Sequence, residues 1–132
     1  MGNRWWMRAA LVWGLLVPTA FADMPSRDFT TQTKTASVTS TQTDVTLWTP
    51  ASGKRIILQG VTACAHAPVT NVEVEEDDGT DVIPLFAIES YGCKTFSAGG
   101  AAIWMGDPDE YLTYSVQGNT RFSITAWGYE IQ

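Results

Sequence analysis

The stretch Val72-Glu73-Val74-Glu75-Glu76-Asp77-Asp78-Gly79-Thr80-Asp81-Val82-Ile83-Pro84-Leu85-Phe86-Ala87-Ile88 decides the fold. Val72 to Glu75 alternates apolar and acidic residues, the period-two pattern of a strand with valines on a core and glutamates in water. Asp77-Asp78-Gly79-Thr80 contains Asp-Gly, a dipeptide that accepts the positive φ of a tight hairpin. Val82 to Ile88 is then the returning strand. Pro84 has no N–H to give to a ladder, which puts it at a sheet edge or a bulge.

Working outward, the same grammar repeats. On the N-terminal side Val45 to Thr49 stops at the turn Pro50-Ala51-Ser52-Gly53. Arg55 to Cys64 follows, with Gly60 expected to mark a bulge or a close backbone approach and to split the run into two halves. On the C-terminal side a Tyr91-Gly92-Cys93 turn precedes short strands at Thr95–Phe96 and Ala101–Met105. Gly106-Asp107-Pro108-Asp109 breaks the chain again. Tyr111–Val116 and Arg121–Ile131 close the sequence, joined by Gln117-Gly118-Asn119-Thr120. No window has the 3.6-residue apolar spacing of a helix. With no helix to cover a sheet face, the sheets must cover each other. The expected fold is all-β: a two-sheet antiparallel sandwich of about 7 to 9 strands. A jelly-roll-like order is preferred to an immunoglobulin-like one, because Cys64 and Cys93 do not flank a central tryptophan.

Residues 1–22 read as a secretory signal peptide. Arg4 and Arg8 precede the apolar run Ala9–Val17, and Ala20-Phe21-Ala22 presents small residues for cleavage after Ala22. The run falls short of the roughly 20 apolar residues that a membrane span needs. The expectation is a secreted or periplasmic protein without a membrane span. Residues 23–44 form a Thr/Ser-rich arm, a disordered tail or, over Thr33–Thr39, a half-exposed edge strand. Residues 45–132 form the β-sandwich domain.

The whole chain carries 8 basic and 14 acidic residues, a net −6; losing Arg4 and Arg8 with the leader leaves 6 against 14, a net −8. Phosphate-rich partners would be repelled, so nucleic acid and anionic membrane are set aside. Cys64 and Cys93 are the only cysteines, and an even pair in an exported chain reads as a disulfide. A metal site from Cys64, His66 and Cys93 lacks the fourth ligand that structural zinc requires.

Catalysis finds little support. His66 is the only histidine, and no serine sits in a Gly-x-Ser-x-Gly elbow. Gly53-Lys54 lacks the earlier glycine of a phosphate loop, and Arg55 replaces its hydroxyl residue. Acid pairs for sugar cleavage could come from Glu73–Asp81 and Asp107–Glu110, but acids are ordinary in hairpin turns. The protein is therefore expected not to be an enzyme and to need no cofactor. Calcium is the one ion to consider, through Asp77, Asp78 and Asp81 or Asp107, Asp109 and Glu110, without EF-hand spacing. Aromatic side chains offer another binding route: in the last strand Phe122, Ile124 and Ala126 share one face, which leaves Ser123, Thr125 and Trp127 on the other, and Tyr129, Trp48 and Trp104 complete the candidate set. The same tryptophans could instead close the ends of the sandwich core.

The run Leu47-Trp48-Thr49-Pro50-Ala51-Ser52-Gly53-Lys54-Arg55-Ile56-Ile57-Leu58-Gln59-Gly60, the Asp-Gly hairpin, and the closing Trp127-Gly128-Tyr129-Glu130 resemble small β-sandwich modules of phage and prophage structural proteins. The leader departs from that pattern, since virion proteins are normally assembled in the cytoplasm. The resemblance implies a sandwich fold with an assembly or attachment role and brings no active site. The expected function is a non-enzymatic exported module that binds itself, as a homo-oligomer, or a cell-surface or glycan partner. A carbohydrate-binding module is the alternative.

Overall fold

The structure, a computed structural model, describes residues 29–118 and 120–132. The leader, the first six residues of the arm and Asn119 lie outside the described residues. Nine strands follow one another: β1 (Gln32–Val38), β2 (Gln42–Trp48), β3 (Arg55–Ala65), β4 (Val69–Glu76), β5 (Asp81–Ile88), β6 (Gly92–Ser97), β7 (Trp104–Met105), β8 (Leu112–Gln117) and β9 (Phe122–Ile131). Every pairing is antiparallel. One sheet runs β1-β9-β3-β6, with β7 also on β3; the other runs β2-β8-β4-β5.

The pairs are nested. β4 meets β5 across the Asp77–Thr80 turn, β3 meets β6, β2 meets β8 and β1 meets β9. The chain is thus one long hairpin folded at Asp-Gly. It is then rolled so that β8 also meets β4 and β9 also meets β3. That winding is a jelly roll. At the central turn Gly79 takes φ +84, and the Thr80 N–H donates to Asp78 Oδ1 at 2.9 Å, so both turn residues serve the reversal.

Three local expectations are corrected. Gly60 does border the expected bulge, since the ladder to β9 skips one residue between Leu58 and Gly60, but it does not split its run, and β3 is continuous. This bulge lets Ile56, Leu58, Val61, Ala63 and Ala65 all face the core. β6 begins at Gly92, inside the expected turn, because Cys93 lies directly opposite Cys64 and the two form a disulfide. Only Trp104 and Met105 of the expected Ala101–Met105 strand pair with β3. Pro84 lies in the edge strand β5, whose ladder to β4 is broken by three register shifts, as its missing N–H requires. β1 and the start of β2 occupy the stretch read as an arm: β1 pairs with β9 over seven consecutive residues.

The core is one continuous cluster between the sheets, with Leu58, Val61, Phe122 and Ile124 from one side and Trp48, Val72, Leu112 and Tyr114 from the other. Each of these side chains removed from water contributes roughly 1.5–3 kcal/mol. Two hydrogen bonds then join the sheets. Trp48 of β2 donates its indole N–H to Glu130 Oε1 of β9 at 2.9 Å, and Trp104 of β7 donates to Glu76 Oε1 of β4 at 2.7 Å. Glu130 also accepts the Ala51 N–H at 3.0 Å through its other oxygen.

Replacing Glu130 with Ala strands the buried Trp48 N–H, so Glu130→Ala is expected to cost about 1–3 kcal/mol in urea unfolding. Glu130→Gln keeps an acceptor and is expected to cost less. Equal losses in the two variants would contradict the role of this bond.

Candidate interaction face

The register fixes what each sheet shows to solvent. Across the outer side of β1-β9-β3-β6 one row runs Ser37, Ser123, Cys64, Cys93; the next runs Thr35, Thr125, Thr62, Thr95; the next Thr33, Trp127, Gly60, Ser97. Not one of these twelve residues is charged. The threonine row is tied by hydroxyl contacts, Thr35 to Thr125 at 3.0 Å and Thr62 to Thr95 at 2.8 Å. These are the cross-strand Thr pairs that stabilise neighbouring strands.

Trp127 lies flat on this face. A Cβ at Gly60 would collide with three atoms of its six-membered ring, so the ring occupies the space that a side chain would have filled. One side of the indole covers the Gly60 backbone, and the residue as a whole is half-buried. Beyond it Tyr129 stacks on Phe29 with ring centroids 4.7 Å apart. Next to Tyr129, Ile57 is buried, and Met105 on the far side of Ile57 is exposed. At the opposite end, Ser37, Cys64, His66, Tyr91, Cys93 and Arg121 line an open depression of about 340 Å³, where the His66 ring packs against Tyr91.

The outer side of β2-β8-β4-β5 has the opposite character. Glu73 and Glu75 project from β4, with Asp44 and Asp81 beside them. Loss of solvent and then the charges of Glu73, Asp44 and Asp81 push the Glu75 carboxyl above its ordinary value.

The four aromatic residues singled out as binders separate into two pairs. Trp127 and Tyr129 are on the outer face. Trp48 is 1% exposed and has no face left for a ligand; it closes one end of the core, with the Lys34 ammonium 5.6 Å from its ring. Trp104 is partly buried against the core and bonded to Glu76. Three of the six acidic residues considered for calcium accept backbone amides. Asp78 caps Thr80, Asp109 Oδ1 accepts the Gly53 N–H at 2.6 Å, and Glu110 Oε2 accepts the Asp107 N–H at 2.6 Å. Asp77 borders a cleft with Asp44, Glu76 and Asp78. Among the described residues no three His, Cys, Asp or Glu side chains gather as a metal site. The sequence offered no signal for the flat Trp127 over Gly60 beyond the interior glycine itself.

These carboxylates set the pH response. Burial, with Glu76 and Asp77 nearby, raises Glu110 against the opposing Asp107 N–H. Glu75 is raised too, so both bind protons more readily folded than unfolded, and stability grows as pH falls through their raised values. Burial would also raise Glu130, but the Trp48 and Ala51 N–H groups with Lys54 and Lys34 outweigh it and hold the carboxyl low. The Thr80 contacts hold Asp78 low. Stability is lost as pH falls through those depressed values. The melting temperature is therefore expected to peak in mild acid, near the ordinary glutamate value of 4.5. A steady fall from pH 7 downward would contradict this. Separately, Gly60→Ala should lift Trp127 off the sheet, shift its fluorescence and cost about 1–3 kcal/mol by overpacking; an unchanged spectrum would contradict the packing.

No family model matches the chain, and no curated protein matches it. Among solved structures it is similar to a chain in the acidic stable capsid structure of Helicobacter pylori bacteriophage KHP30. The TM-score is 0.52 at 13% identity, over 77% of this chain and 93% of that one. At this identity the likeness is one of fold: the chain shares its sandwich with a component of a phage capsid structure.

Proposed function

We propose that the protein is a non-enzymatic structural module, exported and disulfide-bonded, that works by assembling with copies of itself. The observation that carries the reading is the contrast between the two sheet faces. The outer side of β2-β8-β4-β5 holds Asp44, Glu73, Glu75 and Asp81, and two copies meeting there would bring like charges together. The outer side of β1-β9-β3-β6 presents hydroxyls, small residues and the Trp127 ring, with no charge in its three regular rows. A second copy can approach on that side without desolvating a carboxylate, a cost that excludes charged surfaces from the centres of interfaces. The capsid likeness supports a structural role for this fold.

Because the chain is net negative, its copies repel at long range while the proposed contact is uncharged. Self-association measured by light scattering is therefore expected to rise with protein concentration and to strengthen between low and physiological salt, as the Debye length shrinks to about 8 Å. A strict monomer at every concentration would overturn the reading. So would association that salt dissolves, which would place charged groups at the contact. Glycan-array binding abolished by Trp127→Ala, in a chain that stays monomeric, would assign the face to sugar instead.

A further inference from the structure

Among the described residues the sheets end at four strand edges: β1 on one side of the first sheet and β6, with the two-residue β7 also on β3, on the other; β2 and β5 in the second sheet. An unpaired edge is a template for another strand, and folded proteins blunt such edges with proline, bulges or exposed charge. Three of the four are blunted. β5 carries Pro84 and three register shifts. β2 has two register shifts and turns at Asp44, whose φ is +50. β6 exposes Lys94 and runs into Gly99 and Gly100, both at positive φ, where the Ala98–Ala101 bridge folds the chain back.

β1 has none of these. Its seven residues, Gln-Thr-Lys-Thr-Ala-Ser-Val, pair with β9 in an unbroken register and contain neither proline nor glycine. Its one charge, Lys34, points inward, a position that can itself guard an edge. Here the ammonium is drawn over the Trp48 ring at 5.6 Å, and its charge also acts on the Glu130 carboxylate. The lysine is thereby held against its own sandwich.

We propose that β1 is the strand by which one copy joins the next, the β1 edges of two copies pairing antiparallel about a two-fold axis at Thr35. This rests on the self-assembly reading above and gives it a contact. Thr35 is the middle residue of Gln32–Val38, so centring there pairs all seven residues. Thr35 then faces the partner's Thr35, Thr33 faces the partner's Ser37, and Lys34 faces the partner's Ala36. No like charges stand directly opposite, which a register centred on Lys34 would impose. A two-fold contact of this kind is self-complementary and closes at two copies. The pairing supplies main-chain hydrogen bonds to the edge. It also continues the uncharged outer face, with its row of threonines, from one copy into the other.

The test uses the chain without its leader and with the Cys64–Cys93 bond intact. Thr35→Cys is expected to form an inter-chain disulfide under mild oxidation, because directly opposed Cβ atoms lie about 4.5–5.5 Å apart. Thr39→Cys, beyond the end of the paired segment, is expected to form none. Thr35→Glu sets two carboxylates face to face and is expected to weaken association at least tenfold. Thr43→Glu, on the blunted β2 edge, is expected to leave it unchanged. Thr35 is exposed, so the Thr35→Glu chain is expected to keep its fold when dilute, checked by circular dichroism. Association that survives Thr35→Glu, or cross-linking at positions 35 and 39 alike, would overturn the β1 contact while leaving self-assembly standing. An unsubstituted chain that never associates would overturn the assembly reading itself.

Discussion

A buried indole N–H that finds no acceptor costs more than most single contacts in a small domain contribute, and this sandwich has two tryptophans packed in or against its core to satisfy. Both are answered in the same way. Trp48 reaches from β2 across to Glu130 of β9, and Trp104 reaches from β7 across to Glu76 of β4. The direction is opposite in the two cases, so each sheet donates once and accepts once. The sheets are therefore fixed against sliding as well as held together by the apolar cluster, which alone would specify contact but not alignment. Glu130 extends the connection by accepting the Ala51 N–H, and so ties down the turn that sends the chain from β2 into β3.

That alignment gives the molecule two unlike sides. Once the jelly roll is wound, alternation along each strand leaves only the outward residues free to vary, and they divide by sheet. Acids cluster on the outer side of β2-β8-β4-β5, where loss of solvent and then mutual repulsion raise Glu75. The opposite side carries rows of Ser and Thr bridged by hydroxyl contacts and the Cys64–Cys93 disulfide. In the proposed assembly, repulsion on one side and neutrality on the other would orient two copies before a specific contact forms.

Much of this was legible in the sequence, wherever one signal ruled out its rivals. Val72-Glu73-Val74-Glu75 followed by Asp-Gly could only be a hairpin, and it proved to be the innermost of the nested pairs. The alternation Phe122, Ile124, Ala126 against Ser123, Thr125, Trp127 placed Trp127 outward correctly. Legibility ended where the decisive partner was distant in sequence. Trp48 finds Glu130, 82 residues away, and nothing near Trp48 announces an acceptor. Gly60 read as a bulge or close approach that splits the strand; the bulge is there, the strand is unbroken, and nothing in the sequence named Trp127 as the group that packs on it. β1 has a composition that suits a disordered tail equally well, and becomes a strand because β9 offers it seven ladder positions. Spacing also cannot show that Asp78, Asp109 and Glu110 accept backbone amides.

The proposed assembly lies on the side of the sheet whose three regular outer rows carry no charge, and it begins at β1. Amide hydrogen exchange followed by mass spectrometry on dilute and concentrated protein measures it most directly, since exchange reports where opening is suppressed. Protection that rises with concentration over Gln32–Val38, while β2 and β5 exchange at unchanged rates, is the result the account predicts. Protection that rises over β2 or β5 instead, with β1 unaffected, would contradict it.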